Sequence, residues 1–582
     1  MPEIPTLEQT IKASNLISME LLIDGKDMSL TYQIVTITIQ QEINKIPAAR
    51  ILIMDGEVNK GDFAASSSND FKPGKEIEIK LGYTSENDTV FKGIIISNAI
   101  KINNDCSELN IEAKDETTKM TITKGNNHFT GISDIEIANE LLKQNNITNT
   151  DINVTTPKHK QLVQSNITDW DYMISRIDVN SLFCVIDNTQ VIIKKPDKEG
   201  DAKLKLTYGY DIIELHTEMD SRIQNAKVTT SVWDFKKQEV SNEDSETTTI
   251  KDESEASVDD LAGVANKPYQ IKSSVSLTQE EIKAIADSKK QKQELSKIKG
   301  SVKYQGTKAV KAGDFILIED IGINFTGKIF VSAIQHEYAG GDWTTEATLG
   351  WNEQFFAEQI NSQNAASATG QVSNIQGLQS AIVTDITDSE GEFRVKVRLP
   401  AVNDQDEGIY ARVATLDAGN NRGTFFRPEL HDEVIVGFMN NDASHPVILG
   451  MLHSNTKASP IQPESANNVK GYVSRSEVKI LIDDGEKSIT IETQGGNKFF
   501  MSDTENKISL SDANGNKITM EPSGITIDAA KVLTLKAGTS LAISAPQLSM
   551  KADGEMKLEG GATSTVSSNG IVNIKGSIVN IN

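Results

Sequence analysis

Aromatic residues and cysteine are scarce in this chain of 582 residues, and long apolar runs are missing. Only 5% of the residues are Phe, Trp or Tyr, and the two cysteines, Cys106 and Cys184, both lie in alternating apolar segments. This count predicts two buried free thiols rather than a disulfide framework. No stretch approaches 18 consecutive apolar residues, so the sequence predicts no transmembrane helix.

Positive charge is also in deficit. The formal net charge is −24, and no basic cluster offsets it. Nucleic acid and anionic membrane surfaces are therefore excluded as primary partners, because no patch could neutralise phosphate groups. The N-terminus, MPEIPTLEQT, lacks the basic start and apolar run of a signal peptide. We expect assembly in a reducing cytoplasm without a standard signal sequence.

Enzyme motifs are missing as well. The chain has no G-x-x-x-x-G-K-[ST] loop, no H-E-x-x-H, no C-x-x-C and no G-x-S-x-G. None of its histidines is paired at metal-ligand spacing, and we expect those in the turns near residues 431 and 445 to be solvated. These histidines are His128, His159, His216, His336, His431, His445 and His453. The sequence predicts no catalytic residue, no metal and no cofactor.

What the chain does have is a repeat in its last hundred residues. Pairs of apolar residues, one polar residue apart, recur at steps of seven or eight: Ile525/Ile527, Leu533/Leu535, Leu541/Ile543, Leu548/Met550, Met556/Leu558, Val566 alone, Val572/Ile574 and Val579/Ile581. Such pairs are typical of short strands with one buried face, and their repetition without helices is typical of a β-solenoid. Gly538, Gly554 and Gly570 lie 16 residues apart, which predicts tight corners.

The step length decides which solenoid is favoured. A single-chain β-helix needs roughly 18 to 24 residues per coil, so this segment would hold fewer than three coils with open edges. Three identical chains winding together pair every strand edge and bury the apolar pairs in one core. We predict such a homotrimeric needle, with a core formed by the pairs from residue 525 to residue 574. The last residues, Val579, Asn580, Ile581 and Asn582, leave strand ends open, and we expect them to bind a separate cap protein.

The same pairs continue upstream with steps of nine and ten, as Ile480/Ile482, Ile489/Ile491, Phe499/Met501, Ile508/Leu510 and Ile518/Met520. Turn-rich strings such as TQGGNK separate them. We therefore place the needle at residues 478–582, with longer loops in its first part. The carboxylates of Asp483-Asp484-Gly485 belong to such a turn, so a solenoid enzyme that degrades polysaccharide is disfavoured.

Three further segments precede the needle. Residues 1–370 are β-rich with short helices, which begin at the capping boxes Ser133–Glu136 and Thr278–Glu281 and include the amphipathic segment from Trp170 to Ile177. The second capped helix should extend to about Lys299. The acidic stretch 240–262 is interpreted as a solvated loop or disordered insertion, with a docking loop as the less favoured alternative. Residues 371–455 contain five or six short strands and predict an OB-fold barrel, and residues 456–477 are a linker.

The strand pattern near the end of the barrel resembles the VgrG family, the spike proteins of type VI secretion and related contractile injection systems. The resemblance rests on the run GTFFRPELHDEVIVGFMNNDASHPVILGMLH, whose matching residues are Phe426, Pro428, Asp432, Glu433, Val434, Val436, Gly437, Phe438, Asp442, Pro446, Val447, Leu449 and Gly450. The segment NITDWDYMISRIDVNSLFCVIDNTQVIIKK and the order of hub, barrel and needle also match. The hub segment is similar to a phage tail hub, for which the resemblance implies two barrel-like halves.

The resemblance implies a mechanical function. A homotrimer would cap a hexameric, Hcp-like inner tube within a baseplate, and its needle would pierce a target envelope carrying effectors and a PAAR-type tip protein. The chain lacks the lysozyme domain of some phage relatives, and no histidine follows His453 to form a metal tip. The alternative is an extracellular adhesin or tail-fibre-like module, which would favour aromatic needle faces. No aromatic residue occurs from Lys531 onward.

Overall fold

A computed structural model of the protein describes residues 4–11, 16–56, 61–104, 106–234, 239–246, 258–265, 267–273, 275, 277–360, 375 and 377–581. The chain divides into two compact units, Met1–His453 and Ser454–Asn582. Strands account for 42% of the structure and helices for 12%, which confirms the prediction of a mainly β protein. None of the helices that the structure describes has the length and apolarity of a transmembrane segment.

The first unit begins with strands that follow the alternating segments of the sequence. They are β1 (Ile17–Ile23), β2 (Lys26–Asp27), β3 (Gln33–Glu42), β4 (Ala48–Met54), β5 (Glu76–Tyr83), β6 (Glu86–Ile102), β7 (Ser107–Lys114), β8 (Lys124–Ser133), β9 (Thr150–Ile152), β10 (Lys158–Thr168), β11 (Phe183–Asp187), β12 (Gln190–Lys194), β13 (Leu204–Thr207), β14 (Ile212–Met219), β15 (Val228–Asp234), β16 (Glu239–Asp244), β17 (Tyr269–Ser273), β18 (Ile298–Gln305), β19 (Phe315–Glu319), β20 (Gly327–Ala339) and β21 (Asp342–Leu349). The helices are α1 (Leu7–Ile11), α2 (Asp134–Gln144), α3 (Asp169–Asp178), α4 (Val258–Ala262), α5 (Gln279–Leu295) and α6 (Phe356–Ile360).

One 13-stranded sheet runs through both β-rich stretches of this hub segment. Its main path is β14-β18-β21-β20-β3-β4-β7-β6-β5-β1-β2, with β19 on β20 and β13 on β19. The two stretches meet where β20 pairs with β3, with His336 opposite Ile39. Each stretch nevertheless has its own hydrophobic core, one around Leu21 and Ile79 and the other around Val302 and Ile334. Each half thus has its own hydrophobic core, while strand pairing continues from one half to the other. The sequence did not predict this continuous sheet.

The helices begin where their caps predict. Ser133 and Glu136 form the capping box of α2, and Thr278 and Glu281 form that of α5. The amphipathic segment with Trp170 is α3. Helix α5 ends at Leu295 instead of near Lys299, because β18 begins at Ile298.

The charged second half of helix α5 is buried. Lys292 lies 2.7 Å from Asp178, and Glu294 lies 3.3 Å from Lys198 and 3.5 Å from Lys290. These pairings offset the cost of removing the charges from water. The partners Asp178 and Lys198 come from distant segments, so the sequence alone did not reveal these pairs.

Two other expectations are wrong in part. Within the acidic stretch 240–262, β16 pairs with β15 and α4 forms a helical turn, where we expected a loop; residues 247–257 lie outside the described residues. β16 pairs with β15 along its whole length, and Thr229 of β15 donates a hydrogen bond to Asp244 at the acidic end of β16, at 2.7 Å. Cys184 is buried as predicted, but Cys106 is only half-buried, since it lies at the start of β7 beside a turn.

The barrel at the end of the first unit is closed. Its strands are β22 (Gln379–Asp385), β23 (Val395–Arg398), β24 (Ile409–Val413), β27 (Glu433–Phe438) and β28 (Pro446–Met451), in the order β22-β23-β24-β28-β27. The segment GTFFRP (423–428), the possible sixth strand, supplies only Gly423 to the short β26 (Arg422–Gly423), which pairs with β25 (Ala418–Gly419) outside the barrel. Residues 359–378, whose small polar side chains predict a linker before the barrel, fall largely outside the described residues.

The second unit contains a seven-stranded antiparallel sheet in strict sequence order. Its strands are β29 (Val469–Val473), β30 (Lys479–Asp483), β31 (Ser488–Glu492), β32 (Lys498–Ser502), β33 (Lys507–Ser511), β34 (Lys517–Glu521) and β35 (Gly524–Asp528). We had expected the pairs from Ile480 onward to join only other chains, but here neighbouring strands pair within one chain. The steps of nine and ten leave enough residues for hairpin turns, as at Gly496 and Gly515, whose φ values are 87° and 90°.

A buried charge cluster joins α5 to the helices of the hub. Asp134 accepts hydrogen bonds from Arg176 Nε at 2.7 Å and Asn180 Nδ2 at 2.8 Å, and His159 Nε2 lies 2.9 Å from its Oδ2. The other ring nitrogen of His159 contacts Glu281 of α5. Two carboxylates face one arginine, so the cluster is neutral only when His159 is protonated.

The pKa values follow this arrangement. Burial and the Arg176 guanidinium, whose Nη2 is 3.1 Å away, disfavour the protonated imidazole, yet the hydrogen bonds to Asp134 and Glu281 raise the pKa of His159 above its ordinary value. Burial likewise opposes ionisation of Asp134, but the charge of Arg176 holds its pKa at about 2. Protonated His159 therefore stabilises the folded state.

We predict that the free energy of unfolding of the first unit falls as the pH rises from about 6.5 through the raised pKa of His159. The sign follows because the folded state binds the proton more tightly than the unfolded state. His159→Gln should remove this slope, whereas His216→Gln, an exposed site on β14, should keep it. Denaturant unfolding followed across pH checks this, and identical slopes in both variants would contradict it.

Candidate trimer interface

The register of the seven-stranded sheet places the predicted apolar pairs on one face. Ile480 lies opposite Ile491, and Ile482 opposite Ile489. The same pairing continues strand by strand through Phe499/Leu510, Met501/Ile508, Ile508/Met520, Leu510/Ile518, Ile518/Ile527 and Met520/Ile525. Side chains two residues apart on a strand share a face, so these residues form two parallel apolar columns.

Burial on this sheet is the inverse of that in a monomeric protein. Leu510 of the apolar face is 54% exposed and Met520 44%, whereas Ser509 and Thr519 between them, on the opposite face, are only 8% and 9% exposed. A sheet with one wet face places apolar residues in the core and polar residues in water. In one copy the apolar columns have no cover, which marks them as an interaction surface.

Beyond β35 the chain turns corners at the predicted period. Direction changes occur at residues 530–531, 538–539, 546–547, 553–554, 561–562, 569–570 and 577–578. Gly538, Gly554 and Gly570 lie at three of these corners, as predicted, although none has a positive φ. The apolar pairs occupy the straight segments between the corners.

These straight segments lack partners within the chain. No strand or ladder occurs among the described residues 529–581. A single-chain solenoid would pair each coil with the next, so this spacing fits a coil interleaved with other chains better than a self-contained one. The large apolar side chains of this segment are all exposed, from Val572 at 49% to Ile581 at 86%.

The predicted core residues therefore all present apolar surface to solvent in one copy. They are Ile525, Ile527, Leu533, Leu535, Leu541, Ile543, Leu548, Met550, Met556, Leu558, Val566, Val572 and Ile574. At the predicted cap-binding end, Val579 is half-exposed and Ile581 largely exposed, Asn580 is exposed, and Asn582 lies outside the described residues.

The barrel motif divides into buried and exposed parts. Val434 and Val436 point into the barrel core, and Pro428 and Pro446 are buried with them, while Glu433 and Phe438 are half-buried at the ends of β27. Asp432 accepts a hydrogen bond from the Glu429 amide at 2.9 Å and so fixes the turn into the strand. Gly437, Leu449 and Gly450, in contrast, lie on the outside of the barrel.

The two barrel histidines differ from each other. His431 is exposed in a turn with φ of 66°, as expected. His445 is half-buried instead of solvated, since its Nδ1 lies 3.3 Å from Asp442. Burial would raise the pKa of Asp442, but His445 and the Ser444 amide hold it below its ordinary value. Among the described residues, no group of three or more His, Cys, Asp or Glu side chains could hold a metal ion.

Comparison with protein families assigns most of the chain. The Alg8 N-terminal domain matches residues 13–340, the type VI secretion system/phage-baseplate injector OB domain matches residues 379–453, and the phage baseplate V C-terminal trimerisation domain matches residues 488–582. A search of curated proteins found no match.

Solved structures resemble the chain at low identity. The match to a chain of the Francisella PdpA–VgrG complex covers 88% of this protein and 80% of that chain, at 10% identity and a TM-score of 0.51. The match to an E. coli component of the type VI secretion system covers 74% of this protein and 100% of that component, at 10% identity and a TM-score of 0.46. The match to a tail protein from Neisseria meningitidis covers 58% of this protein and 96% of the tail protein, at 13% identity and a TM-score of 0.43.

The family matches place the exposed apolar face inside a trimerisation domain, which accounts for its inverted burial. The Alg8 N-terminal domain alone spans more than half of the sequence. The chain therefore belongs to the Alg8 N-terminal domain family, and it carries a type VI secretion system/phage-baseplate injector OB domain and a phage baseplate V C-terminal trimerisation domain.

Proposed function

We propose that a homotrimer of this chain caps the inner tube of a contractile injection apparatus and that its needle pierces the target envelope. The observation that supports this most is the segment 529–581, which exposes a regular apolar repeat and lacks strand partners in its own chain. Three copies would bury these side chains, each worth about 1.5–3 kcal/mol, and pair the free backbone groups.

Charge is distributed as such a device requires. Residues 454–582 contain 13 basic and 14 acidic side chains, so almost the whole net charge of −24 lies in the first unit. A nearly neutral needle is neither held nor repelled by charged envelope polymers, while mutual repulsion keeps the acidic heads soluble. The work of penetration would come from the contracting sheath, so the role requires no catalytic residue.

The partners follow from the same proposal. The hub segment would dock on a hexameric, Hcp-like tube and on baseplate proteins, and the open end at Val579–Ile581 would accept a PAAR-type tip protein. The Francisella neighbour is a chain of a PdpA–VgrG complex, and we propose that this chain carries effector cargo. The trimer would assemble in the cytoplasm and be delivered outside the cell.

Truncation after Asn455 tests the proposal directly. The shortened chain should lose most of its resistance to heat and detergent, because the interwound strands are removed. Light scattering and melting curves of the two proteins check this. In cells that produce the apparatus, the truncation should also abolish delivery while leaving sheaths assembled. Equal melting of two monomeric proteins would refute the needle, and unchanged delivery would refute its function.

The inside and outside of the needle can be distinguished by a matched pair of substitutions. Leu541→Asp should abolish trimer yield, because three carboxylates would meet near one axis, each costing several kcal/mol to desolvate unless protonated. Thr539→Asp, at the corner 538–539, should leave the yield unchanged. Size-exclusion chromatography gives the readout, and equal effects of both substitutions would show that the assigned faces are wrong.

Binding of a tip protein should be separable from formation of the trimer. Deletion of residues 572–582 should abolish binding of a small tip protein while the trimer remains intact, because open strand ends are the acceptor. Pull-down with a PAAR-type protein, with Thr563→Asp as the control, measures this. Retained binding after the deletion would contradict the prediction.

A further inference from the structure

The barrel is closed by a short strand pairing, the one between β24 and β28. These two strands run parallel and pair over only two residues of each, Arg412–Val413 and Val447–Ile448. Tyr410 of β24 lies ahead of this contact, and β28 begins only at Pro446. We define the barrel seam as the gap between Tyr410 and Ser444, where the two strands do not pair. Backbone groups at such a gap need other partners if they are removed from water.

A side chain of the hub segment fills the barrel seam. Gln161 lies on β10, and its Oε1 accepts a hydrogen bond from the Tyr410 amide at 2.9 Å. Its Nε2 donates to the Tyr410 carbonyl oxygen at 3.1 Å and also to the carbonyl oxygen of Ser444. One carboxamide thus pairs with both backbone groups of Tyr410, as a residue of a neighbouring antiparallel strand would. It also bridges the two sides of the seam.

Val163, two residues further along β10, extends this contact into the barrel core. Its amide donates a hydrogen bond to Ser444 Oγ at 2.9 Å, and the two residues are only 4% and 3% exposed. The Val163 side chain belongs to the same hydrophobic cluster as Val395 and Val434 of the barrel strands. The hub therefore supplies both a polar group for the barrel seam and an apolar side chain for the barrel core.

Charged contacts flank the barrel seam. His128 of β8 contacts Asp406, and Lys160 contacts Glu390, with about half of each of the latter two side chains exposed. An exposed pair such as Lys160 and Glu390 contributes little, because water and salt screen it. The centre of the junction consists of the Gln161 amide and the apolar Val163, neither of which depends on salt or on protonation.

We propose that Gln161 couples the barrel to the hub, so that the two open and move as one body. Without this amide both backbone groups of Tyr410 would lose their partner, and the barrel seam would separate more readily. Two folded segments joined by a connecting chain alone reorient relative to each other, and a hub strand that completes the barrel prevents this. The coupling is independent of what the apparatus does. Its use, the transfer of thrust from hub to barrel, rests on the proposed function.

Native-state hydrogen exchange of the full-length protein tests the coupling. Gln161→Leu removes the amide at a similar side-chain volume. The matched control is Gln164→Leu on the same strand, because Gln164 is fully buried and its amide bonds to Asp169, Ile167 and Asn127, all within the hub. Exchange is followed by mass spectrometry at increasing low concentrations of denaturant, for peptides of the barrel and peptides of the hub.

In the wild type, barrel and hub peptides should exchange through one shared opening, with the same dependence on denaturant. Gln161→Leu should accelerate exchange of the barrel peptides roughly tenfold to a hundredfold, because several hydrogen bonds are lost at once, and should leave the hub peptides close to the wild-type rate. Gln164→Leu should accelerate both sets alike, because it weakens the shared opening without separating the two parts. If Gln161→Leu does not fold, Ser444→Ala, which removes only the bond to the Val163 amide, should give the same pattern at a smaller size.

Two outcomes would overturn the proposal. Barrel peptides that already open separately from the hub in the wild type would show that the two are not coupled. Equal acceleration of barrel and hub peptides in Gln161→Leu would make Gln161 a general contributor to stability. Separate opening in Gln161→Leu together with unchanged delivery by the apparatus would support the coupling and contradict only its use in transferring thrust.

Discussion

Backbone hydrogen bonding is the constraint on which this structure depends. Every amide and carbonyl removed from water needs a partner, and a buried strand obtains it only from a neighbouring strand. In the first unit the chain meets this need itself, through the 13-stranded sheet and the closed barrel. In the last fifty or so residues it does not, because described residues 529–581 form no ladder with one another. In the proposed trimer, the apolar residues of that segment would be buried by the other two chains.

The seven-stranded sheet shares features with both the self-paired first unit and the unpaired segment 529–581. Its strands pair within the chain, as in the first unit, yet its apolar columns are exposed, as in the segment that follows. Association of three such sheets through their apolar faces would give a prism core, and the columns continue into the repeat of Leu533, Leu541 and Leu548. In the proposed trimer, self-association would thus build up gradually along the chain, from faces that pack to strands that interwind.

The sequence was most informative where local periodicity sets the structure. The steps of seven and eight residues predicted the corners at 538–539 and 553–554, and Ser133 and Thr278 predicted the starts of two helices. It was least informative where partners come from far along the chain. The burial of Lys292 depends on Asp178, and the union of the two β-rich stretches depends on β3 meeting β20. The sequence did not predict the hairpin pairing from Ile480 to Ile527, because the same apolar pairs are compatible with both a single-chain meander and an interwound coil.

Hydrogen exchange of the needle amides in the full-length protein tests the central claim most directly. If three chains interwind, the amides in the straight segments between residues 532 and 576 are hydrogen-bonded between copies, and they should exchange as slowly as those of the barrel strands. Protection should be lost together along the segment when the trimer dissociates. Exchange of these amides at the rate of an unstructured chain, in material that is trimeric, would contradict the account.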